Sequence, residues 1–115
     1  MSYEPRIKFE TKHIVQMLVK CDYDAIVKYT NGIRLPKDEI EYAVKDYGCK
    51  IVMPPEDVFD NLDVVEVENT SPREWSVRCP LWTKEEGPSD LSVEMSMIEE
   101  SADRLRVELD NIIVF

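Results

Sequence analysis

The stretch WSVRCPL (residues 75–81) alternates apolar and polar positions along the chain. The stretches LSVEMSM (residues 91–97) and LRVEL (residues 105–109) repeat this alternation, and residues 62–68 are rich in Val. A period of two places one set of side chains on the dry face of a sheet and the other on its wet face. Because the connections between these segments are short, we expect four strands that pair antiparallel as a meander.

The residues before these strands recur at helical spacing. Ile14, Val15, Leu18 and Cys21 form one apolar stripe, with Thr11 as the expected N-cap. A second group of apolar residues follows at 25–29, and the pattern fits either one bent helix or two.

Turn-forming residues divide the rest of the first half. Asn31-Gly32 predicts a helix end, and Pro36 suits the first position of the next helix. Gly48 predicts the end of that helix. Met53-Pro54-Pro55 excludes regular structure, and Glu56 to Phe59 fits a single helical turn.

Helices that precede the strands, instead of alternating with them, predict an α+β fold. We expect the helical part (about residues 11–48) to pack on one face of the four-stranded meander (about residues 61–115), in a cystatin-like or NTF2-like arrangement. The chain has 115 residues, of which 43% are apolar, which fits a single domain over residues 1–115.

Composition excludes several classes of function. The formal net charge is -10, which argues against unaided binding to nucleic acid and to anionic lipid. No apolar run approaches the roughly 20 residues of a membrane helix, and the first ten residues do not resemble a signal peptide. Cys21, Cys49 and Cys79 lack metal-ligand spacing, so we expect three reduced, buried thiols in a cytoplasmic protein without a metal or cofactor.

The negative charge is concentrated in the second half of the chain. Residues 1–50 carry eight acids and nine bases, which leaves 16 acids and five bases for residues 51–115. Two segments contain acids and no base. The first acidic segment, residues 56–68, contains Glu56, Asp57, Asp60, Asp63, Glu66 and Glu68, and the second, residues 85–103, contains Glu85, Glu86, Asp90, Glu94, Glu99, Glu100 and Asp103.

Motifs for catalysis are scarce. His13 is the single histidine, and there are three glycines and no Gly-rich phosphate loop. We therefore expect a protein that is not an enzyme, although an enzyme built from carboxylates alone remains open because paired acids are recognised by geometry.

The segment LWTKEEGPSDL (residues 81–91) joins two predicted strands. Glu85 and Glu86 fall at the loop tip, Gly87-Pro88 sets a turn, and alternation turns either Leu81 or Trp82 away from the core. An acidic tip flanked by an aromatic residue is a reasonable composition for an interface hot spot.

The same segment resembles the signature of a small, uncharacterised bacterial domain family, roughly Leu-Trp-Thr-x-Glu-Glu-Gly-x-Ser-Asp-Leu between two strands. Tyr47-Gly48, Pro54-Pro55 and Trp75-Ser76-Val77 extend the resemblance to most of the chain from about residue 12. Pro88 stands where the family usually has a basic residue, and we expect this replacement to stiffen the loop or to alter its contact. The resemblance implies a fold and no activity.

By type, small acidic α+β proteins also resemble the immunity proteins of bacterial toxin systems, including contact-dependent inhibition. This likeness carries no specific motif. It implies a protein that occludes the basic active-site cleft of a toxin such as a nuclease.

Our first hypothesis is accordingly an acidic binding protein that neutralises a basic protein partner, with Trp82, Glu85, Glu86 and Asp90 at the contact. Alternatively, the first acidic segment makes the contact, through residues that include Asp57, Asp60 and Asp63.

Two other hypotheses stay open. A small-molecule-binding or enzymatic domain would hold a pocket between helices and sheet, lined by Trp75, Met95, Met97 and Tyr47. A self-associating structural module would use the terminal run IIVF (residues 112–115), which otherwise forms a last core strand. The sequence leaves the oligomeric state undetermined.

Overall fold

A computed structural model describes residues 3–114, which form four helices and an antiparallel sheet of five strands. The predicted α+β fold is confirmed. In chain order the elements are α1 (Glu4–Val19), α2 (Tyr23–Thr30), α3 (Lys37–Tyr47), β1 (Ile51–Val52), α4 (Glu56–Asp60), β2 (Asp63–Glu66), β3 (Glu74–Thr83), β4 (Gly87–Ser101) and β5 (Arg104–Val114).

Strands β2 to β5 form the predicted meander, and β1 adds a short strand to it. The order across the sheet is β1-β3-β4-β5, while β2 pairs with the same edge of β3 as β1 does. Ile51 and Val52 lie opposite Thr83 and Trp82, whereas β2 lies opposite residues 75–78. The chain from β1 through α4 to β2 therefore follows one edge of β3.

Strand β3 follows the predicted alternation, whereas β4 and β5 also bury polar residues at the alternate positions, namely Ser92, Ser96 and Glu108. Trp75, Val77, Cys79 and Leu81 are buried along β3, and β4 and β5 contribute their own apolar rows to the same core. The register shifts at three places, between Pro80 and Trp82, between residues 94 and 95, and between residues 99 and 101. Such irregularities bend the strands and increase the local twist.

Helix α1 begins seven residues before the expected N-cap at Thr11. Pro5 occupies the first turn, where its missing N–H costs no helical hydrogen bond, and Ile7 is buried. Thr11 itself is fully buried inside the helix, and its hydroxyl donates to the Ile7 carbonyl at 2.8 Å. The prediction that Thr11 caps the helix was wrong because the buried face extends back to Ile7.

The other helix ends agree with the turn residues. Two helices are present where one bent helix was the alternative, and Asp22 caps α2 by accepting the Ala25 N–H at 3.2 Å. Asn31 and Gly48 adopt the left-handed region, with φ of 60° and 83°, directly after α2 and α3. Pro36 is the N-cap of α3 and not its first helical residue.

The core lies between the helices and one face of the sheet, with β5 in contact with α1, α2 and α3. Ile112 is buried in β5, while Ile113 and Val114 are partly exposed, and Phe115 lies outside the described residues. Among the helices of residues 3–114, none is long and apolar enough to cross a membrane.

Candidate functional site

The hairpin between β3 and β4 brings most of the predicted contact residues together. We call residues 82–90 the hairpin tip. Only Lys84, Glu85 and Glu86 separate the two strands, so the loop is shorter than the predicted span of 84–89. Gly87 has a φ of 73°, which favours glycine, and the half-buried Trp82 ring lies against it.

Neutral donors hold the two acids of the hairpin tip in place. Oε1 of Glu85 accepts the backbone N–H of Lys50 at 3.0 Å. Oε1 of Glu86 accepts the Tyr47 hydroxyl at 2.7 Å and the Thr83 hydroxyl at 3.1 Å. The Glu86 N–H in turn donates to Thr83 Oγ1 at 3.1 Å, so both carboxylates are positioned without any cation.

Tyr47 ties this loop to the start of β4. Its hydroxyl oxygen accepts the backbone N–H of Asp90 at 3.3 Å while donating to Glu86. The hydrogen bond to Glu86 is the main cause that raises the pKa of Tyr47. Burial, and then the charges of Glu85 and Glu86, raise the pKa of the neighbouring Cys49 thiol.

The hairpin tip keeps its negative charge. Within residues 3–114, no Lys or Arg nitrogen lies within 4.0 Å of the carboxylates of Glu85, Glu86 or Asp90. Lys84, within the hairpin tip, and Lys50, whose N–H bonds to Glu85, are both exposed. The surface therefore has separated charges of both signs instead of a uniform negative field.

The first acidic segment behaves differently, because most of its carboxylates are neutralised by bases from elsewhere in the fold. Asp60 lies 2.5 Å from Lys8 Nζ, and Asp63 lies 3.7 Å from Arg78. Glu56 pairs with Lys8 and Lys12, whose hydrogen bonds lower its pKa. Glu66 pairs with Arg73 at 2.9 Å.

Asp57 and Glu68 are the acids of this segment that have no ion pair within the described part of the chain. Of the predicted residues Asp57, Asp60 and Asp63, therefore, two are paired. The sequence suggested otherwise because the neutralising bases lie on α1 and β3, far from the acids along the chain.

The residues expected to line a pocket between helices and sheet belong instead to the packed core, in which Trp75 lies opposite Met97 and against which Tyr47 packs. Met95 and Met97 are fully buried in the core, and Tyr47 is at the hairpin tip. Trp75 borders a groove of about 870 Å3 between the start of α1 and β2, under the guanidinium of Arg73, which lies 4.9 Å from its ring.

An ionisable residue that the sequence reasoning missed is Glu10 on α1, whose side chain is 3% exposed. It falls between Ile7 and Ile14 on the buried stripe of the helix, and this charged residue within an apolar stripe was the signal available in the sequence. His13, one turn later, lies with its ring centroid 4.6 Å from that of Tyr29.

The cysteines differ in environment. Cys79 is buried as expected, which raises its pKa to about 12, but Cys21 is exposed and Cys49 is half-buried, so the expectation of three buried thiols was wrong. Cys21 lies in the turn between α1 and α2, where its own φ is 56°. Among residues 3–114, no group of three or more His, Cys, Asp or Glu side chains is placed to hold a metal ion.

Comparison with known proteins gives one match. A family model described as a domain of unknown function (DUF7668) matches residues 15–115, which include the hairpin tip and every strand. No curated protein and no solved structure matches the chain. The expected membership of an uncharacterised domain family is confirmed at this level.

Proposed function

This chain belongs to the DUF7668 family of domains of unknown function, and we propose that it acts as an acidic binding protein whose hairpin tip occludes a basic surface of a partner protein. The observation that carries this proposal is the positioning of Glu85 and Glu86 by neutral donors. A carboxylate held in this way keeps its full charge and its free acceptor positions for a Lys or Arg of the partner.

Positioning lowers the cost of binding. An exposed Glu side chain loses rotamer freedom when it pairs, and this loss opposes association. Glu86 is already fixed by Tyr47 and Thr83, so a partner cation meets a carboxylate that needs little further ordering. The half-buried Trp82 and Tyr47 supply the aromatic surface that interface hot spots commonly use.

The charge of the whole chain supports the same function. A net charge of -10 attracts a basic protein over a distance and raises its association rate at low salt. A bacterial toxin such as a nuclease is the leading candidate partner, because its active-site cleft must be basic to bind a phosphate backbone. On this proposal the chain is a cytoplasmic immunity protein and not an enzyme. The toxin systems in which it would act include those of contact-dependent inhibition.

The experiment measures association of the chain with the product of the neighbouring gene, as a candidate partner, across a salt series. The double variant Glu85→Lys and Glu86→Lys reverses the charge of the hairpin tip. Asp57→Lys with Glu68→Lys is the matched control, since it changes the net charge equally at two unpaired acids of the first acidic segment. We expect affinity to fall at least about tenfold in the first variant and to fall with salt in both.

An affinity that changes neither with salt nor with Glu85→Lys and Glu86→Lys would reject the electrostatic function. A larger loss in the control variant would move the contact to the first acidic segment.

A further inference from the structure

A cleft of about 710 Å3 opens between α1, α2 and the start of β5, on a different face of α1 from the one that carries Lys8 and Lys12. Its volume lies within the range of small-molecule sites. Helix α1 contributes the longest wall, made of Arg6, Phe9, Glu10, His13 and Met17, and Lys20 follows directly after the helix.

A buried carboxylate lies inside this cleft. The Tyr29 hydroxyl donates to both carboxylate oxygens of Glu10, with 2.6 Å to Oε2. Burial, and then this hydrogen bond, raise the pKa of Tyr29, so the phenol stays protonated at neutral pH. A carboxylate can accept about four hydrogen bonds, and a single hydroxyl leaves acceptor positions of Glu10 open to N–H donors of a ligand.

Flat rings stand beside this carboxylate. The Phe9 and His13 rings are parallel to within 2°, with centroids 6.4 Å apart, and the centroid of the Tyr29 ring lies 4.6 Å from that of His13. Phe9 is 57% exposed, which is unusual for so large an apolar side chain. The Arg6 guanidinium lies 5.5 Å from the centroid of Phe9, and the exposed part of this ring offers a stacking surface for a planar ligand.

Unpaired cations converge on the same cleft. Within residues 3–114, nine of the 14 Lys and Arg side chains have a carboxylate oxygen within 4.0 Å, and three of the other five line the cleft. The paired residues are Lys8, Lys12, Arg34, Lys37, Lys45, Arg73, Arg78, Arg104 and Arg106, and the unpaired ones are Arg6, Lys20, Lys28, Lys50 and Lys84.

This distribution is informative because the chain has 24 acids for 14 bases, so acids to pair with are plentiful. The acids that line the cleft leave these cations free. Asp22 caps α2, Glu100 faces Arg104 at 3.8 Å, and Glu10 accepts from Tyr29. An anion in the cleft would supply the counter-charge that the protein does not.

We propose that this cleft binds a small organic anion in which a flat ring with N–H donors is joined to a phosphate group, as in a nucleotide. The ring stacks on Phe9 and His13, its N–H groups donate to Glu10, and the phosphate meets the unpaired cations Lys20 and Lys28. A phosphate suits this set better than a carboxylate because it carries close to two negative charges at neutral pH. The site is separate from the hairpin tip and does not depend on the proposed partner.

The test titrates the full chain with guanosine monophosphate, guanosine and inorganic phosphate by calorimetry, with amide chemical shifts to locate the binding. We expect guanosine monophosphate to bind more tightly than either of its parts and to shift amides of α1, α2 and β5. The double variant Lys20→Ala and Lys28→Ala should weaken its binding at least about tenfold. Glu10→Gln should weaken the binding of guanosine monophosphate and leave the binding of inorganic phosphate unchanged.

Lys50→Ala with Lys84→Ala is the matched control, because it removes two exposed, unpaired lysines outside the cleft. All four lysines are exposed, so both double variants should keep the wild-type unfolding curve. Equal weakening in the two variants, binding of inorganic phosphate as tight as that of guanosine monophosphate, or no binding of the nucleotide at millimolar concentration would each overturn the proposal.

Discussion

The hydroxyl of Tyr47 donates to Oε1 of Glu86 at 2.7 Å, and the oxygen of this hydroxyl accepts the N–H of Asp90. The end of α3 is thereby tied to the loop of the β3–β4 hairpin and to the start of β4. This connection holds an exposed loop in one conformation, and its removal is the most direct way to ask whether that conformation matters.

Replacing Tyr47 by Phe should loosen the hairpin tip without unfolding the protein. The ring and its packing remain, while the donor to Glu86 and the acceptor for Asp90 are lost. We expect the Asp90 amide to exchange its hydrogen faster and the urea midpoint to stay nearly unchanged. Tyr42→Phe is the control, since Tyr42 is 70% exposed. Unchanged exchange at Asp90 would show that the tie has no effect on the loop.

Replacing a large side chain by Ala should cost more stability on the buried face of α1 than on its exposed face. Ile14 is fully buried, so Ile14→Ala should lower the free energy of unfolding by about 2–5 kcal/mol. Phe9→Ala removes a larger side chain that is 57% exposed, and we expect a loss below about 1 kcal/mol. Denaturant unfolding of both variants measures the difference, and similar losses would contradict the orientation of α1.

Glu10→Gln should bring the pKa of Tyr29 down towards its ordinary range. The negative charge and the acceptor strength of Glu10 both help to raise that pKa, although burial remains in the variant as the larger cause. Ultraviolet titration of the tyrosines, with Tyr29→Phe to identify the signal, measures the change. No shift in the Tyr29 transition would mean that its hydroxyl does not bond to Glu10 in solution.

Two carboxyl groups should make opposite contributions to acid stability. Hydrogen bonds from Lys12 and Lys8 lower the pKa of Glu56, so its contribution is present above the ordinary pKa of Glu and is lost as the pH falls through the folded value. Burial raises the pKa of Asp110, so its contribution is present below the ordinary pKa of Asp and is lost as the pH rises through the folded value.

Unfolding midpoints between about pH 3 and pH 6 measure both contributions. Glu56→Gln should flatten the rise of stability with pH, and Asp110→Asn should steepen it. The same direction of change in both variants would contradict this assignment.

The three thiols should react with a thiol reagent in three separate phases. Cys21 is exposed and should react first, whereas the raised pKa of Cys49 should slow its reaction at neutral pH. Cys79 is buried, and its pKa of about 12 should keep it unreactive until the protein unfolds. Labelling followed by peptide mass analysis identifies each phase, and early labelling of Cys79 would argue that β3 opens in the native state.

Local patterns were sufficient to predict most of the fold. The alternation in residues 75–81 and 91–97 indicated β3 and β4 because the apolar residues at every second position are buried in the core. Strand β1 was missed because two residues are too few to show an alternation of apolar and polar positions. It forms by pairing with Trp82 and Thr83, which lie opposite it. The start of α1 was missed because Ile7 is buried through tertiary packing.

The candidate site was harder to predict because it depends on pairs that are distant along the chain. Nothing local to Glu56 indicates that Lys12, 44 residues earlier, neutralises it. For Glu85 and Glu86 the loop-tip position was predictable, but Tyr47 and the Lys50 N–H that hold them were not. Proximity in space, set by how α1 and α3 pack, decides which acids have a basic partner and which keep an uncompensated charge.

The contact of β5 with α1, α2 and α3 has a consequence for biosynthesis. The ribosome produces the three helices before this strand, so their apolar faces emerge without β5 to cover them. The interior of the domain therefore cannot close until β5 has been synthesised.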